Sequence, residues 1–217
     1  MELKGLVLVK CVNKFCWCGT VRAFLALTPG DWLEQMTARY PRVAPFAVTP
    51  QQRRAWESSG AALRAALTEM GPTYSGIHII FEYGLPKYPP RKNGGVAEGY
   101  AIYPDCILVA RGQVVILEFK DRDLSDPDVA WKLSLSVRRY RNRIQKYHDQ
   151  SWGFSKCGVL VSTVNTGLRR QTIKGVTLCS HDLLARELTT RLGPRPRPVQ
   201  SIVRWRESAY SVHKPSS

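Results

Sequence analysis

Two apolar runs joined by a turn dipeptide constrain the fold of this chain more than any other feature. The runs cover residues 106–110 (CILVA) and 113–119 (QVVILEF), and Arg111-Gly112 lies between them. Glycine at such a junction is typical of a tight turn, so the pattern predicts a β-hairpin. Because neither run alternates apolar with polar residues, both faces of the hairpin should be buried. The sequence therefore predicts a central sheet covered on both sides.

Charged residues lie at the open end of this hairpin. A two-residue turn at Arg111-Gly112 places Asp105 opposite Glu118, and Lys120 shares their face because side chains alternate along a strand. Opposed Cβ atoms are about 5 Å apart, so the two carboxylates repel each other unless a cation lies between them. A divalent metal is the simplest such cation. The register is conditional, because a glycine bulge at the turn would shift the pairing by one residue.

The elements around the hairpin predict an α/β fold with a mixed sheet flanked by helices. Capping patterns at Thr49 and at residues 125–128 begin two amphipathic helices. Short apolar runs bounded by turn residues indicate the other strands. The predicted order is α-β-β-β-α-β-β-α: helix 50–70, strand 77–83, the two hairpin strands, helix 128–150, strands 157–164 and 175–179, and a helix from Ser180 to about residue 192.

The remaining segments are predicted to flank a core of residues 49–192. Residues 1–48 should form an extension packed on the core, with a strand near residues 1–12, a turn at 15–19, and a helix over 31–40 that Pro41 ends. Residues 193–217 form a basic, proline-rich tail in which 194–198 (PRPRP) is interpreted as a linker. A length of 217 residues is consistent with one domain.

Charge and cysteine content narrow the classes of partner. Lysine and arginine total 32 against 17 acidic residues, and the net charge of +15 favours a polyanion, with nucleic acid preferred over a membrane surface. The apolar segment at residues 1–12 is too short and too charged to form a membrane-spanning helix, and it lacks the cleavage site of a signal peptide. We therefore expect a cytoplasmic protein. No CxxC pair occurs among the three N-terminal cysteines, Cys11, Cys16 and Cys18. We therefore interpret them as core residues rather than zinc ligands.

The residues at the hairpin end resemble the PD-(D/E)XK nuclease superfamily, whose signature appears here as Pro104-Asp105 and Glu118-Phe119-Lys120. More narrowly, residues 19–192 resemble the nuclease-like domain that precedes superfamily 1 helicase domains in bacterial proteins. Further matches are Gln52-x3-Trp56, Ile80-Phe81-Glu82-Tyr83, and the stretch from Tyr140 to Tyr147-His148. Here no helicase segment follows, the loop between Leu85 and Tyr103 is expanded, and Ser136 occupies the position of an expected glutamine.

This resemblance implies a restriction-endonuclease-like core and hydrolysis of phosphodiester bonds, with DNA as the favoured substrate. It implies that Asp105, Glu118 and the Phe119 carbonyl bind Mg²⁺ or Mn²⁺, hard ions that prefer oxygen ligands. Lys120 would orient the attacking water or stabilise the developing charge. Glu82 is a further candidate ligand, because an acid in an apolar strand needs a partner, but it could equally be a solvated glutamate at an edge.

Basic residues could hold the substrate. We expect phosphate contacts from the helix after the hairpin and from a later loop, although such rows are often only solvated faces. Tyr140 could pack beneath the site or contact a base. Two other functions remain open: a catalytically silent nucleic-acid-binding module, and a basic subunit acting with a partner enzyme such as a helicase. No oligomeric state is predicted. The candidate contacts are Arg138, Arg139, Tyr140, Arg143, Lys146, Arg169 and Arg170.

Overall fold

The computed structural model describes residues 15–44, 47–86 and 101–206. The strand predicted near residues 1–12, Cys11 and residues 207–217 lie outside these ranges. The described strands are β1 Trp17–Thr20, β2 His78–Phe81, β3 Leu85–Pro86, β4 Ala101–Ile102, β5 Cys106–Ala110, β6 Gln113–Lys120, β7 Ser155–Ser162, β8 Gln171–Ile173 and β9 Val176–Ser180. The helices are α1 Val21–Ala26, α2 Pro29–Val43, α3 Pro50–Met70, α4 Pro127–Tyr147, α5 Leu184–Leu192 and α6 Ile202–Arg206.

Seven of these strands form one mixed sheet in the order β1-β2-β5-β6-β7-β9-β8. Strands β1, β2, β5 and β6 pair antiparallel, β6, β7 and β9 pair parallel, and β8 returns antiparallel at the edge. Strands β3 and β4 form a separate two-stranded ladder. The predicted α/β fold with a mixed sheet flanked by helices is confirmed.

The central hairpin has the predicted register. Cys106 pairs with Leu117 and Ala110 pairs with Gln113, so the turn contains only Arg111 and Gly112. Gly112 has φ 78°, a left-handed conformation that glycine adopts without steric cost. The alternative register with a bulge does not occur.

Both faces of the hairpin are buried, as the apolar runs predicted. Leu108, Val115 and Leu117 pack into a core shared with helices α1, α2, α3 and α5. On the opposite face, Ile107 and Ile116 pack beneath α4 and α6. The hairpin is therefore the middle layer of a three-layer domain.

The helix starts confirm the two capping predictions. The Thr49 hydroxyl accepts a hydrogen bond from the Gln52 N–H at the start of α3, which runs over the predicted residues. The Asp126 carboxylate accepts from the Asp128 and Val129 N–H groups at the start of α4. Helix α4 ends at Tyr147 rather than near residue 150, and His148 is its C-cap. No helix in the described part of the chain is long and apolar enough to cross a membrane.

Three local predictions were wrong. Pro41 does not end α2, which continues to Val43, because a proline in the last turn removes only one intrahelical hydrogen bond. The predicted turn at 15–19 is largely strand β1, whose pairing with β2 supplies partners for its backbone. Ser180 does not cap α5 directly, since its hydroxyl accepts from the Leu168 N–H and a 3₁₀ turn over His181–Leu183 precedes the helix.

The C-terminal helix α6 was not predicted, and it carries a core residue. The Trp205 side chain is 2% exposed, and its ring lies 4.3 Å from the His148 ring and 5.7 Å from the Tyr83 ring, measured between centroids. These contacts join residues after the proline-rich linker to the end of α4 and to the segment after β2. Part of the predicted tail is therefore packed against the sheet.

Replacing Trp205 with alanine should lower the free energy of unfolding by about 3–5 kcal/mol, because the change leaves a large cavity between α6, His148 and Tyr83. Urea denaturation at neutral pH measures this loss. Val203 of the same helix is 44% exposed, so Val203→Ala should change the stability by no more than about 0.5 kcal/mol. Equal effects of the two substitutions would show that α6 does not dock as described.

Candidate functional site

The open end of the β5–β6 hairpin brings together Asp105, Glu118 and Lys120 on the side of the sheet that α4 covers. Asp105 directly precedes β5, and its Oδ2 accepts a hydrogen bond of 2.7 Å from the Phe119 N–H. The Lys120 Nζ donates to the Glu118 Oε1 at 2.8 Å. The three side chains that the sequence predicted to be neighbours therefore form one cluster.

Glu82, the residue that follows strand β2, joins this cluster. Its backbone N–H donates to the Asp105 carbonyl at 3.2 Å. Its Oε1 accepts from the Trp56 Nε1 at 2.9 Å and from the Gln52 Nε2 at 3.4 Å, both on α3. Glu82 is only 6% exposed, so the alternative interpretation as a solvated glutamate at an edge was wrong.

The backbone at Glu82 explains how this acid reaches the site. Its φ of 51° lies in the left-handed region, which costs a residue with a Cβ roughly 1–2 kcal/mol. The strand ends there, so the Glu82 side chain contacts α3 while the next residue, Tyr83, packs against His148 and Trp205. Contacts on both sides of the sheet thus hold a strained conformation that places the carboxyl group beside Asp105.

Burial makes the acidic cluster electrostatically unfavourable in the absence of a cation. Burial, followed by the Asp105 charge, raises the pKa of Glu118 from 4.5 to about 8 and that of Glu82 also to about 8. Burial raises the pKa of Asp105, although Lys120 and the Phe119 N–H oppose this shift. Burial alone would lower the pKa of Lys120, but the Asp105 and Glu118 charges outweigh it and the pKa is raised. One lysine does not neutralise the two buried carboxyl groups of Glu82 and Glu118 and the partly buried one of Asp105.

The donor atoms at this position suit a partly hydrated divalent cation. The Glu118 Oε2 is buried, and no group in the described part of the chain hydrogen-bonds to it. The Lys120 carbonyl accepts from the Thr163 N–H beyond β7, so the carbonyl of the preceding residue, Phe119, faces the opposite side, toward Asp105. Mg²⁺ commonly uses one or two carboxylates and keeps several waters. Among the described residues no three His, Cys, Asp or Glu side chains form a ready-made metal cluster, so water ligands would have to complete the coordination.

Tyr140 of α4 lies beneath this cluster. Its side chain is buried, and the pKa of its hydroxyl is raised by burial and then by the Glu118, Asp105 and Glu82 charges. Val137 and Ile144 share its inward face. The structure therefore favours packing at the site over an exposed contact with a base.

The other predicted contact residues divide into two groups. Arg138, Arg139, Arg143 and Lys146 line a groove of about 380 Å³ on the outer face of α4, together with Leu135 and Asn142. Arg169 is exposed in the loop before β8. The neighbouring Arg170 is also exposed, but its Nε donates to the Glu187 carboxylate at 2.7 Å. Arg170 is thus already engaged by a buried acid.

The sequence did not reveal the partners of Glu82. Gln52 and Trp56 were predicted to lie on the helix over 50–70 and supported the resemblance, and the structure adds that both donate hydrogen bonds to the Glu82 carboxylate. A physical signal was present, because a tryptophan on the buried face of a helix and an acid inside an apolar strand each need a polar partner. Pairing them required knowledge that α3 crosses the end of β2.

Comparisons with known proteins add little to this description. No family model matches the chain, and no curated protein matches it. A solved structure, that of protein VC1899 from Vibrio cholerae, matches with 13% sequence identity and a TM-score of 0.34. The match covers 73% of this chain and 41% of that one, so this chain spans less than half of VC1899.

The metal-free protein should lose stability as the pH rises. The pKa of Glu118 and that of Glu82 are about 8 in the folded state against 4.5 ordinarily, so the folded state retains protons that the unfolded state releases. The protons held on Glu118 and Glu82 contribute fully to the free energy of unfolding below about pH 4.5. This contribution is lost as the pH rises towards 8. Thermal unfolding in chelator should show this decline, and Glu118→Gln should reduce it by several kcal/mol, because a difference of one pKa unit is worth roughly 1.4 kcal/mol.

Glu57 of α3 provides the matched control, because it is exposed and pairs only with Arg53 among the described residues. Glu57→Gln should retain the wild-type dependence on pH. A Glu118→Gln variant with an unchanged decline would mean that Glu118 is ionised in the folded, metal-free protein.

Proposed function

We propose that this protein is a metal-dependent nuclease that hydrolyses phosphodiester bonds, with DNA as the favoured substrate. The observation that carries the proposal is the convergence of Asp105, Glu118 and Lys120, joined by Glu82, at one buried end of the central hairpin. The resemblance to the PD-(D/E)XK superfamily rests on the same residues and supports the same activity. The net charge of +15 supports a polyanionic substrate.

Each residue then has a chemical role. Asp105, Glu118 and the Phe119 carbonyl would hold Mg²⁺ or Mn²⁺, with Glu82 as an additional acidic group. The bound ion supplies Lewis-acid chemistry, polarising a phosphate oxygen and activating a water. Because the pKa of Lys120 is raised, its ammonium group stays cationic at neutral pH. Lys120 therefore suits orientation of water and stabilisation of negative charge on the phosphate rather than proton abstraction.

A second candidate is a catalytically silent nucleic-acid-binding module, alone or as the subunit of an enzyme such as a helicase. The observation that favours it is that, within the described ranges, no three His, Cys, Asp or Glu side chains lie close enough together to bind one metal ion. In either case we infer that the protein acts on nucleic acid in the cytoplasm. Catalysis distinguishes the two candidates.

Purified protein should cleave DNA in Mg²⁺ or Mn²⁺ and should lose this activity in chelator. Asp105→Asn and Glu118→Gln should each reduce cleavage at least about a hundredfold, because each removes a charged metal ligand, while the metal-free stability is kept or increased. Gel assays with single-stranded and duplex DNA and with RNA measure the cleavage, and Glu57→Gln is the control. Full activity of Asp105→Asn in Mg²⁺ would place the hydrolysis elsewhere.

Binding should depend strongly on salt and weakly on sequence, because the cations of the α4 groove contact phosphates rather than bases. Replacing both Arg139 and Arg143 with glutamine should lower the slope of log affinity against log salt by about 1.4 for single strands and about 1.8 for duplexes. Titrations with the metal-free protein at several salt concentrations provide the slope.

Arg53→Gln is the matched control, since Arg53 is an exposed cation on α3, on the opposite side of the sheet. It should leave the slope unchanged. If the double variant keeps the wild-type slope, or loses affinity for one sequence only, the α4 groove is not the phosphate-binding surface.

A further inference from the structure

An exposed tryptophan lies on the same helix face as the α4 groove. The Trp131 side chain is 44% exposed. Five of the six residues that line the groove follow it at positions that share the outer face of a helix: Leu135 at i+4, Arg138 at i+7, Arg139 at i+8, Asn142 at i+11 and Lys146 at i+15. We define this surface, from Trp131 to Lys146, as the outer face of α4. It extends about 22 Å along the helix axis.

The charge on this face is one-sided. Helix α4 contains six cationic residues and one acidic residue, Asp128, which lies in the first turn before Trp131. Arg141 is directed elsewhere, because its Nη1 donates to the Gly175 carbonyl at 2.6 Å. Within the described ranges, none of the salt bridges involves Arg138, Arg139 or Lys146. The outer face thus combines an aromatic surface at one end with a row of cations along the rest.

We propose that the outer face of α4 binds single-stranded nucleic acid, with a base stacked on Trp131 and the following phosphates on the arginines and Lys146. An exposed indole can stack only on a base that has left a duplex, since paired bases cover one another. Cations spaced along a helix contact the backbone of any sequence. The combination of stacking and charge therefore favours a single strand over a duplex.

The outer face is also connected to the acidic cluster. Arg139, which is exposed, directly precedes Tyr140, whose buried side chain lies with Val137 and Ile144 on the inward face of the same helix. A nucleic-acid strand that begins at Trp131 and follows the helix to Arg139 and Arg143 would pass along the flank of α4 next to Tyr140. This step rests on the proposed nuclease function, because it takes the acidic cluster as the site of cleavage. It narrows the substrate of that site to single-stranded nucleic acid.

Equilibrium binding in chelator tests the proposal without any cleavage. The full chain is titrated into fluorescently labelled oligothymidylate, into an RNA strand of the same length, and into a duplex. Wild-type protein should bind both single strands more tightly than the duplex. Trp131→Ala should weaken single-strand binding by about fivefold or more and duplex binding by less than about twofold, whereas Trp131→Phe should retain most of the affinity.

Two controls separate stacking from charge and from folding. An oligonucleotide with abasic sites keeps its phosphates but cannot stack, so Trp131→Ala should not change its affinity. Trp152, which is 61% exposed and lies after α4 near the start of β7, is the matched control, and Trp152→Ala should leave binding unchanged. Circular dichroism and thermal unfolding check that every variant folds.

The outcomes distinguish this inference from the proposed activity. Tighter wild-type binding to the duplex, or an unchanged affinity of Trp131→Ala for both single strands, would overturn it and would leave the outer face as a surface for a protein partner or for solvent. If Mg²⁺-dependent cleavage is absent but binding follows the expected pattern, the proposed function fails while the single-strand site stands. If the protein cleaves duplexes and Trp131→Ala does not change single-strand binding, the proposed nuclease function stands while the single-strand site fails.

Discussion

The register of the β5–β6 hairpin is the constraint on which the rest of this structure depends. Both faces of the hairpin are buried, and a shift of one residue would exchange the side chains that meet the two helical layers. The same shift would turn Glu118 and Lys120 away from Asp105, because they lie on one strand with the core residues. Packing of apolar side chains therefore positions the charged cluster at the open end.

The acidic cluster of Glu82, Asp105 and Glu118 persists although burial and mutual repulsion of its carboxyl groups oppose it. Buried acids with raised pKa values, with a single lysine between them, are unfavourable in a folded protein unless a ligand compensates for them. The left-handed backbone at Glu82 adds further strain. The scaffold tolerates both costs because α3 supplies hydrogen bonds to the Glu82 carboxylate and the rings of His148 and Trp205 hold the next residue. Such stored strain is typical of sites that bind a ligand.

Helix α4 contributes to both the proposed metal site and the proposed substrate-binding surface. Its inward face places Tyr140 near enough to the acidic cluster to feel its charges, and its outward face presents the cations of the groove. A single helix can do both because residues three and four positions apart share a face, whereas adjacent residues such as Arg139 and Tyr140 point in different directions. The proposed substrate contacts and the residue that packs near the proposed metal site thus lie on different faces of one helix.

The sequence by itself determined the local features: the hairpin and its register, the helix starts at Thr49 and Asp126, and the meeting of Asp105, Glu118 and Lys120. These features depend on side-chain period and turn chemistry, which act over a few residues. Only the tertiary structure decided that Glu82 is buried against α3, that residues 17–20 form an edge strand, and that Trp205 returns to the core. Each of these depends on contacts between residues far apart in the chain, and a short apolar or polar segment carries no information about which distant surface will cover it.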